Sequence, residues 1–388
     1  MNKEFLPFHA PDISEAEVQA VVETLRSGWL TTGPQVKQFE EEFARYVGCR
    51  QAVAVNSGTA ALHLALEAVG IGEGDEVILP TMTFAATAEV VLYLHAWPVL
   101  VDCRQDTLNL DPDQLEQAMT PRTKAIIPVH FGGHPCDMGR ILEIARAHHL
   151  AVIEDAAHAL PARCGGKMVG TIGDITCFSF YATKTITTGE GGMATTERPA
   201  WAERMRLMSL HGISKDAWKR YTAAGSWDYE ILSPGYKYNL TDVAAALGTQ
   251  QLRRCDRFWQ QRQYYAELYH NGFADVPEII VPPLLISEGH QHAWHLYVIQ
   301  LELERLRIDR RQFIELLKQQ HIGASVHFIP LHLHPYYREN FGYYRGDFPN
   351  ASAVFERIVS LPIYPKMTEM DVHNVIEAVK MIIRQHRR

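Results

Sequence analysis

The 388-residue chain is poor in cysteine, carries no surplus of positive charge and has no long apolar run. Its six cysteines (Cys49, Cys103, Cys136, Cys164, Cys177 and Cys255) lie far apart and never form C-x-x-C. That excludes a disulfide-stapled scaffold and predicts reduced, packed thiols. Thirty-seven Lys and Arg against 45 Asp and Glu leave a net charge of -8, so nucleic acid is not an expected partner. No stretch approaches the roughly 18 apolar residues of a membrane helix, and the opening MNKEFLPFHAPDISEAEV has no signal-peptide core. A cytoplasmic protein without membrane contact is predicted. G-x-x-x-x-G-K-[ST], G-x-G-x-x-G and G-x-S-x-G are all missing, which argues against a P-loop, a dinucleotide fold and a serine-hydrolase elbow. What is present is ordinary globular material, 47% hydrophobic and 21% charged.

The pattern along the chain is α/β. Ser14 and Glu17 make a capping box, with Val18, Val21, Val22 and Leu25 spaced as one apolar helix face that Gly28 ends. Pro34 opens a second amphipathic helix carrying Val36, Phe39 and Phe43. From residue 52, strand-like runs at 52–55, 76–80, 98–102, 124–129 and 150–155 alternate with helical segments at 59–69, 84–96, 111–119 and 137–148. Two more strands are expected at 175–180 and 193–196. This predicts a doubly wound, mostly parallel sheet of at least seven strands, with room for one antiparallel strand. Residues 199–240 are irregular, and a long helix is expected over about 241–270. Strand-like HLYVIQLEL and SVHFI then alternate with helices near 309–320, 350–359 and 368–385. The division predicted is an N-terminal segment with a large domain, 1–255, and a smaller α/β domain, 256–388.

Ligands of open α/β sheets bind beyond the carboxyl ends of the strands, so the residues that follow each strand are the candidates. Ser57-Gly58-Thr59 opens a helix, where free N–H groups and the positive dipole end suit a phosphate. An ordinary capped turn has the same residues. Asp155 ends an apolar strand, where a part-buried carboxylate needs a cationic or hydrogen-bonding partner; a helix cap or loop ion pair would serve equally. Lys184 follows an apolar strand among small neighbours, where desolvation lowers an amine's pKa and suits Schiff-base chemistry. A lysine snorkelling from a strand end is the alternative. Together, a phosphate site, a carboxylate and a desolvated lysine on one sheet edge are the three anchors of pyridoxal phosphate. Phe84 could lie on its ring or pack in the core.

The strings NSGTAALHLAL (56–66), TMTFAATAE (81–89), VIEDAAHA (152–159) and FSFYATKTITTGEGG (178–192) carry a resemblance, which extends from SGWLTTGP (27–34) to SLPIYPKMTEMD (360–371). In these the chain resembles the DegT/StrS family of nucleotide-sugar aminotransferases, pyridoxal-phosphate enzymes of the aspartate-aminotransferase fold (fold type I). The 29-residue separation of Asp155 and Lys184 fits the family. The resemblance implies catalytic roles for Lys184, Asp155 and His158: Lys184 would carry the cofactor and move the proton, Asp155 would pair with the ring nitrogen, and His158 would sit by the phenolic oxygen or ring face. Gly58, Thr59 and Ser179 would bind the phosphate and Phe84 would stack on the ring. Asn239 matches a residue that the family supplies from the neighbouring subunit, implying a homodimer with shared active sites. The implied reaction passes the amino group of L-glutamate to a nucleotide-linked keto sugar. Lysine at 184, where some relatives carry histidine and dehydrate sugars, favours transamination.

Of the remaining features, His290, His292 and His295, and His327, His332 and His334, lack a Cys or carboxylate to complete a metal set, so no metal is expected. In relatives the segment 327–337 lies near the sugar, which makes His327 and His332 candidates for substrate contacts. Trp29, Thr31 and Thr32 resemble the family's early substrate loop, although an interhelix turn reads alike. Residues 211–239 look most like enzymes aminating C4 of a UDP-linked keto sugar, with Lys219 and Arg220 in reach of a diphosphate or simply solvated. A cofactor-binding regulator without turnover, or a lyase or sugar dehydratase, would share the cofactor motifs.

Overall fold

Short apolar runs closed by turn residues and separated by amphipathic stretches build a sheet covered on both faces. The computed structural model describes residues 4–214, 229–284 and 288–388. Two helices lead in, α1 (Glu15–Ser27) and α2 (Pro34–Val47). There follow β1 (Gln51–Val55), α3 (Gly58–Ala68), β2 (Glu76–Pro80), α4 (Ala86–Tyr93), β3 (Trp97–Val101), α5 (Leu115–Ala118), β4 (Thr123–Ile126), α6 (Met138–Ala147) and β5 (Ala151–Asp155). A short hairpin, β6 (Arg163–Cys164) and β7 (Lys167–Met168), precedes β8 (Ile175–Ser179), β9 (Gly192–Thr196) and α7 (Pro199–Ser209). Seven strands form one sheet in the order β1-β9-β8-β5-β4-β2-β3. Only β9 runs against its neighbours, β8 and β1; the other adjacent pairs are parallel. The register sets Val55 and Ser179 on either side of Gly192, and Asp155 beside Cys177. The ends of β1, β8 and β5 therefore make one edge.

The chain continues through α8 (Asp242–Arg253), α9 (Cys255–Phe273), β10 (Ile279–Ile280), β11 (Tyr297–Leu301), α10 (Arg310–Gln319), α11 (Pro335–Phe341), α12 (Pro349–Phe355), β12 (Ile358–Leu361) and α13 (Glu369–His386). Strands β10, β11 and β12 form a second, antiparallel sheet. Its own core includes Tyr269, Tyr297, Ile299, Phe313, Leu361, Val375 and Val379.

Several sequence expectations change, each for a physical reason. The long helix over 241–270 is two helices joined at Arg254. That guanidinium reaches Asp12 at 2.8 Å and Glu17 at 2.6 Å, and α8 packs on α1 and α2 while α9 packs on α13. Helix α1 buries Glu17 and Thr24 and turns Val18 and Leu25 outward, 46% and 52% exposed. The ion pair of Glu17 with Arg254 outweighs the apolar periodicity there. SVHFI is not a strand: only Ser325 bridges to Ser360. The sheet position goes to β12, whose buried Ile358, Val359 and Leu361 suit a strand better than the helix end expected over 350–359.

Candidate active site

The phosphate-type corner is built by close packing. Ser57 caps α3 by accepting the Ala60 N–H at 3.0 Å, while the N–H groups of Gly58 and Thr59, in the first turn, have no partner within the helix. A Cβ on Gly58 would lie 2.9 Å from Cβ of Ser179, so only glycine lets the helix start approach the end of β8. A Cβ on Gly192 would lie 2.4 Å from the Ser57 carbonyl oxygen. Gly58, Thr59 and Ser179 thus share one corner.

Asp155 sits at the end of β5, 6% exposed. Its Oδ2 accepts from Thr87 Oγ1 at 2.9 Å and its Oδ1 from the Ala157 N–H at 3.1 Å. Thr87 and Thr83 hydroxyls lie 2.7 Å apart, so Thr87 is itself held. Burial raises the Asp155 pKa, against the opposing pull of Ala157, Thr87 and Lys184. Lys184 closes the turn after β8, its N–H donating to the Tyr181 carbonyl at 2.9 Å. Burial lowers its amine to about 8, opposed by the Asp155 charge. The neighbouring Glu154 points to the other face of β5, where it accepts from Thr176 Oγ1 at 2.6 Å and the Gly173 N–H at 2.7 Å, and pairs with His130 Nε2 at 2.9 Å. His130 Nδ1 accepts the Cys136 N–H at 3.0 Å, which assigns the proton to Nε2. This wholly buried pair under the strand end was not foreseen.

His158 follows from β5. Its Nδ1 accepts the Gly132 N–H at 3.3 Å, leaving the proton on Nε2. Burial first, then Lys184 and His327, hold its pKa well below the ordinary value, so the ring is neutral. It lies between His295, at 4.4 Å between ring centroids, and Phe328, at 5.7 Å. Phe84 is 62% exposed, not packed in the core, and its ring is 6.0 Å from Phe328. His295, Phe328, Thr87 and His9 were all missed by motif reading.

His327 belongs with this group: its Nδ1 meets Ser360 Oγ at 2.9 Å, and burial and Lys184 depress its pKa to about 4. His332 does not. It is fully buried, with Nδ1 2.8 Å from Thr81 Oγ1 and Nε2 3.0 Å from Ser352 Oγ. Both ring nitrogens are satisfied internally, so the expected substrate contact is corrected to a core role. Trp29, Thr31, Thr32 and Asn239 gather in a second cluster, before α2 and α8. Asn239 Nδ2 donates to Thr32 Oγ1 at 2.8 Å, Trp29 Nε1 to the Thr32 carbonyl at 3.2 Å, and the Asp242 N–H to the Thr31 carbonyl at 3.2 Å. A bridge from Asn239 to Val55 places this cluster at the end of β1. Lys219 and Arg220 lie outside the described residues. The other histidines disperse: His290 meets Cys164, and His292 stacks on Trp294. Among the described residues no three His, Cys, Asp or Glu gather as a metal set, and no helix is long and apolar enough to cross a membrane.

The residues present fit a group that offers a phosphate, a carbonyl and a protonatable ring nitrogen: open helix N–H groups, a poised amine and a buried carboxylate line one edge. The profile of the DegT/DnrJ/EryC1/StrS aminotransferase family matches residues 11–380. The chain belongs to that family. DegT/DnrJ/EryC1/StrS relatives include the spore coat polysaccharide biosynthesis protein SpsC of Bacillus subtilis, 52% identical over 98% of this chain and 97% of its own. Among solved structures, Spr1654 of Streptococcus pneumoniae in its PMP form is 38% identical, covers 98% of this chain and 99% of its own, and superposes with a TM-score of 0.91; a PLP form is also solved. Helicobacter pylori PseC, an aminotransferase involved in the biosynthesis of pseudoaminic acid, is 29% identical over 99% of this chain and 100% of its own, with a TM-score of 0.91. This member of the DegT/DnrJ/EryC1/StrS family is a PLP-dependent sugar aminotransferase of fold type I.

Proposed function

We propose that the enzyme transfers the amino group of L-glutamate to a nucleotide-linked keto sugar, at C4 of a UDP-sugar, in two half-reactions at one site with ping-pong kinetics. The observation that carries this reading is the convergence of Lys184, Asp155 and the Gly58–Ser179 corner on one sheet edge. Bound pyridoxal phosphate supplies the electron sink that acidifies the substrate C–H. Lys184 Nζ takes the α-proton of the donor in the first half-reaction and delivers a proton to the sugar carbon in the second. Asp155 faces the protonated ring nitrogen, a buried charge pair that relieves the carboxylate's desolvation. His158 offers Nε2–H to the phenolic oxygen. Gly58, Thr59 and Ser179 hold the phosphate, and Phe84 stacks on the ring, worth about 0.5–1.5 kcal/mol beyond burial.

Trp29, Thr31, Thr32, Lys219, Arg220 and His327 are assigned to the sugar nucleotide, His327 through its Nε2. Asn239 serves the phosphate of the neighbouring site in a homodimer. Exposed Leu30, Ile231 and Leu232, at 48%, 68% and 60%, support an apolar face for that partner. The large domain comprises 1–255 and the small domain 256–388. The likeness to SpsC supports a role in making a glycan precursor, and six free cysteines support a reducing, cytoplasmic setting.

Absorbance spectra before and after glutamate alone test the reading. Loss of the visible band with release of 2-oxoglutarate is expected. A bound chromophore inert to glutamate would point to a regulator or a lyase, and absence of any chromophore after reconstitution would remove Lys184 from its role. The phosphate corner has its own test. Gly58→Ala should bind the cofactor about ten- to a hundred-fold more weakly, because overpacking by about 1–3 kcal/mol falls on the helix start. Titration of the cofactor-free protein followed by absorbance measures it.

A further inference from the structure

Residues 6–12 run without helix as a strap anchored at both ends. The Leu6 N–H donates to the His321 carbonyl and the Gly323 N–H to the Leu6 carbonyl, each at 2.8 Å. At the far end, the Asp12 carboxylate meets Arg254 at 2.8 Å and Arg257 at 3.0 Å. Between these anchors Phe8 stacks on His327 at 5.4 Å, and His9 Nε2 lies 3.1 Å from the carbonyl oxygen of Ala182. A carbonyl only accepts, so Nε2 carries the proton and donates. Ala182 lies within the turn that Lys184 closes onto Tyr181. The strap is seated closely: a Cβ on Gly323 would lie 2.7 Å from the Phe8 nitrogen and 3.2 Å from the Leu6 carbonyl oxygen.

We propose that this strap is part of the catalytic apparatus, with His9 as a positioning residue whose Nε2–H holds the lysine-bearing turn and ties it to the 321–323 segment. The inference rests on the reading of Lys184 given above. The titratable groups facing Lys184 are Asp155, His158, His295, His327 and His9. Burial, Arg262 and Lys184 depress His9 to about 4 against its bond to Ala182, so it stays a neutral donor at working pH.

Three variants test this. His9→Phe keeps a ring and loses the donor, His9→Gln keeps a donor at similar reach, and Gly323→Ala lifts the strap with His9 intact. In the cofactor-free protein, hydrogen exchange at the Lys184 amide should quicken in His9→Phe and Gly323→Ala and return to the parent rate in His9→Gln. In the loaded enzyme, kcat should fall about ten- to a hundred-fold in the first two, as misplacement of a reacting group does, with the KM for glutamate little changed. Parent-like exchange and kcat in both His9→Phe and Gly323→Ala would overturn the proposal. So would a His9→Gln protein as impaired as His9→Phe alongside a neutral Gly323→Ala, since the ring would then act by packing alone. If His9→Phe does not fold, His9→Gln and Gly323→Ala decide. A parent enzyme that forms no chromophore with pyridoxal phosphate refutes the reading of Lys184 instead, and the exchange rates in the cofactor-free protein still judge the strap.

Discussion

Lys184→Gln should leave a folded protein that loses glutamate-dependent formation of 2-oxoglutarate by about 10²–10⁴-fold or more, the usual worth of a positioned proton-transfer group. Such a protein should also lack any lysine-linked absorbance band, though cofactor can still bind. The parent's pH behaviour follows from the same amine. With its pKa brought by burial to about 8, Lys184 is half neutral at pH 8, while an ordinary lysine at about 10.4 remains protonated. In the cofactor-free parent, an amine-directed acylating reagent should therefore mark Lys184 ahead of other lysines. Its rate should rise about tenfold per pH unit below 8 and flatten above. The sign for stability follows too. A folded pKa below the unfolded one means that the unfolded chain binds more protons between about 8 and 10.5, so folding stability rises across that window. Lys184→Gln should lose this rise. Peptide mapping after labelling and melting curves from pH 7 to 11 check both expectations, and an unlabelled Lys184 would contradict the depressed amine.

The parts of the site legible in the sequence are those set by strand ends. Gly58, Asp155, Ser179 and Lys184 each end or closely follow an apolar run, and a mostly parallel sheet must bring such positions to one edge. Residues supplied from a distance were not legible. His9 reaches the lysine-bearing turn at Ala182, and His295 reaches His158, from segments that no local pattern ties to them, and Phe328 stands beside His158 through a loop expected to be a strand. His332 was misread because a histidine among prolines and leucines looks alike whether its nitrogens face a ligand or, as here, Thr81 and Ser352. Glu17 shows the same gap on a helix. Periodicity predicted Val18 and Leu25 inside, but an acidic residue bound to Arg254 and Gln251 took the buried face. Long-range polar satisfaction is what a one-dimensional pattern omits.

The histidines around Lys184 share one electrostatic consequence. Burial depresses His9, His158, His295 and His327 alike, so near neutral pH these rings act as dipoles and donors rather than as cations. The titratable groups left to govern proton traffic are Lys184, lowered by burial, and Asp155, raised by it. Glu154, directly beneath, is different. Burial would raise its pKa, but His130, Thr176 and Gly173 together bring it below the ordinary value. One strand end thus holds two adjacent carboxylates in opposite states of comfort, one satisfied and one in need of a cation.

That need predicts two opposite outcomes for Asp155→Asn. An asparagine can keep the native contacts: Oδ1 accepts from Ala157, Nδ2 donates to Thr87 Oγ1, and Thr87 in turn donates to Thr83. Folding should therefore survive. The Asp155 pKa is raised by burial above its ordinary value, so the folded protein binds more protons than the unfolded chain between the two pKa values, and stability falls as pH rises through that window. Asparagine carries no charge to desolvate. The cofactor-free variant should accordingly melt higher than the parent at pH 7, with the gap closing in acid, where Asp155 is protonated in both folded and unfolded chains. Lys184, deprived of its counter-charge, should titrate below its parental value. Cofactor binding should move the other way. Losing one partner of a buried ion pair costs about 3–5 kcal/mol, which corresponds to roughly 140- to 3,700-fold weaker binding at about 1.4 kcal/mol per decade. Pyridoxal phosphate should then raise the melting temperature of the parent strongly and that of the variant little. Paired melting curves with and without cofactor read both effects in one experiment. An Asp155→Asn protein that binds as tightly as the parent and reacts with glutamate at the parental rate would remove the ion pair from the mechanism.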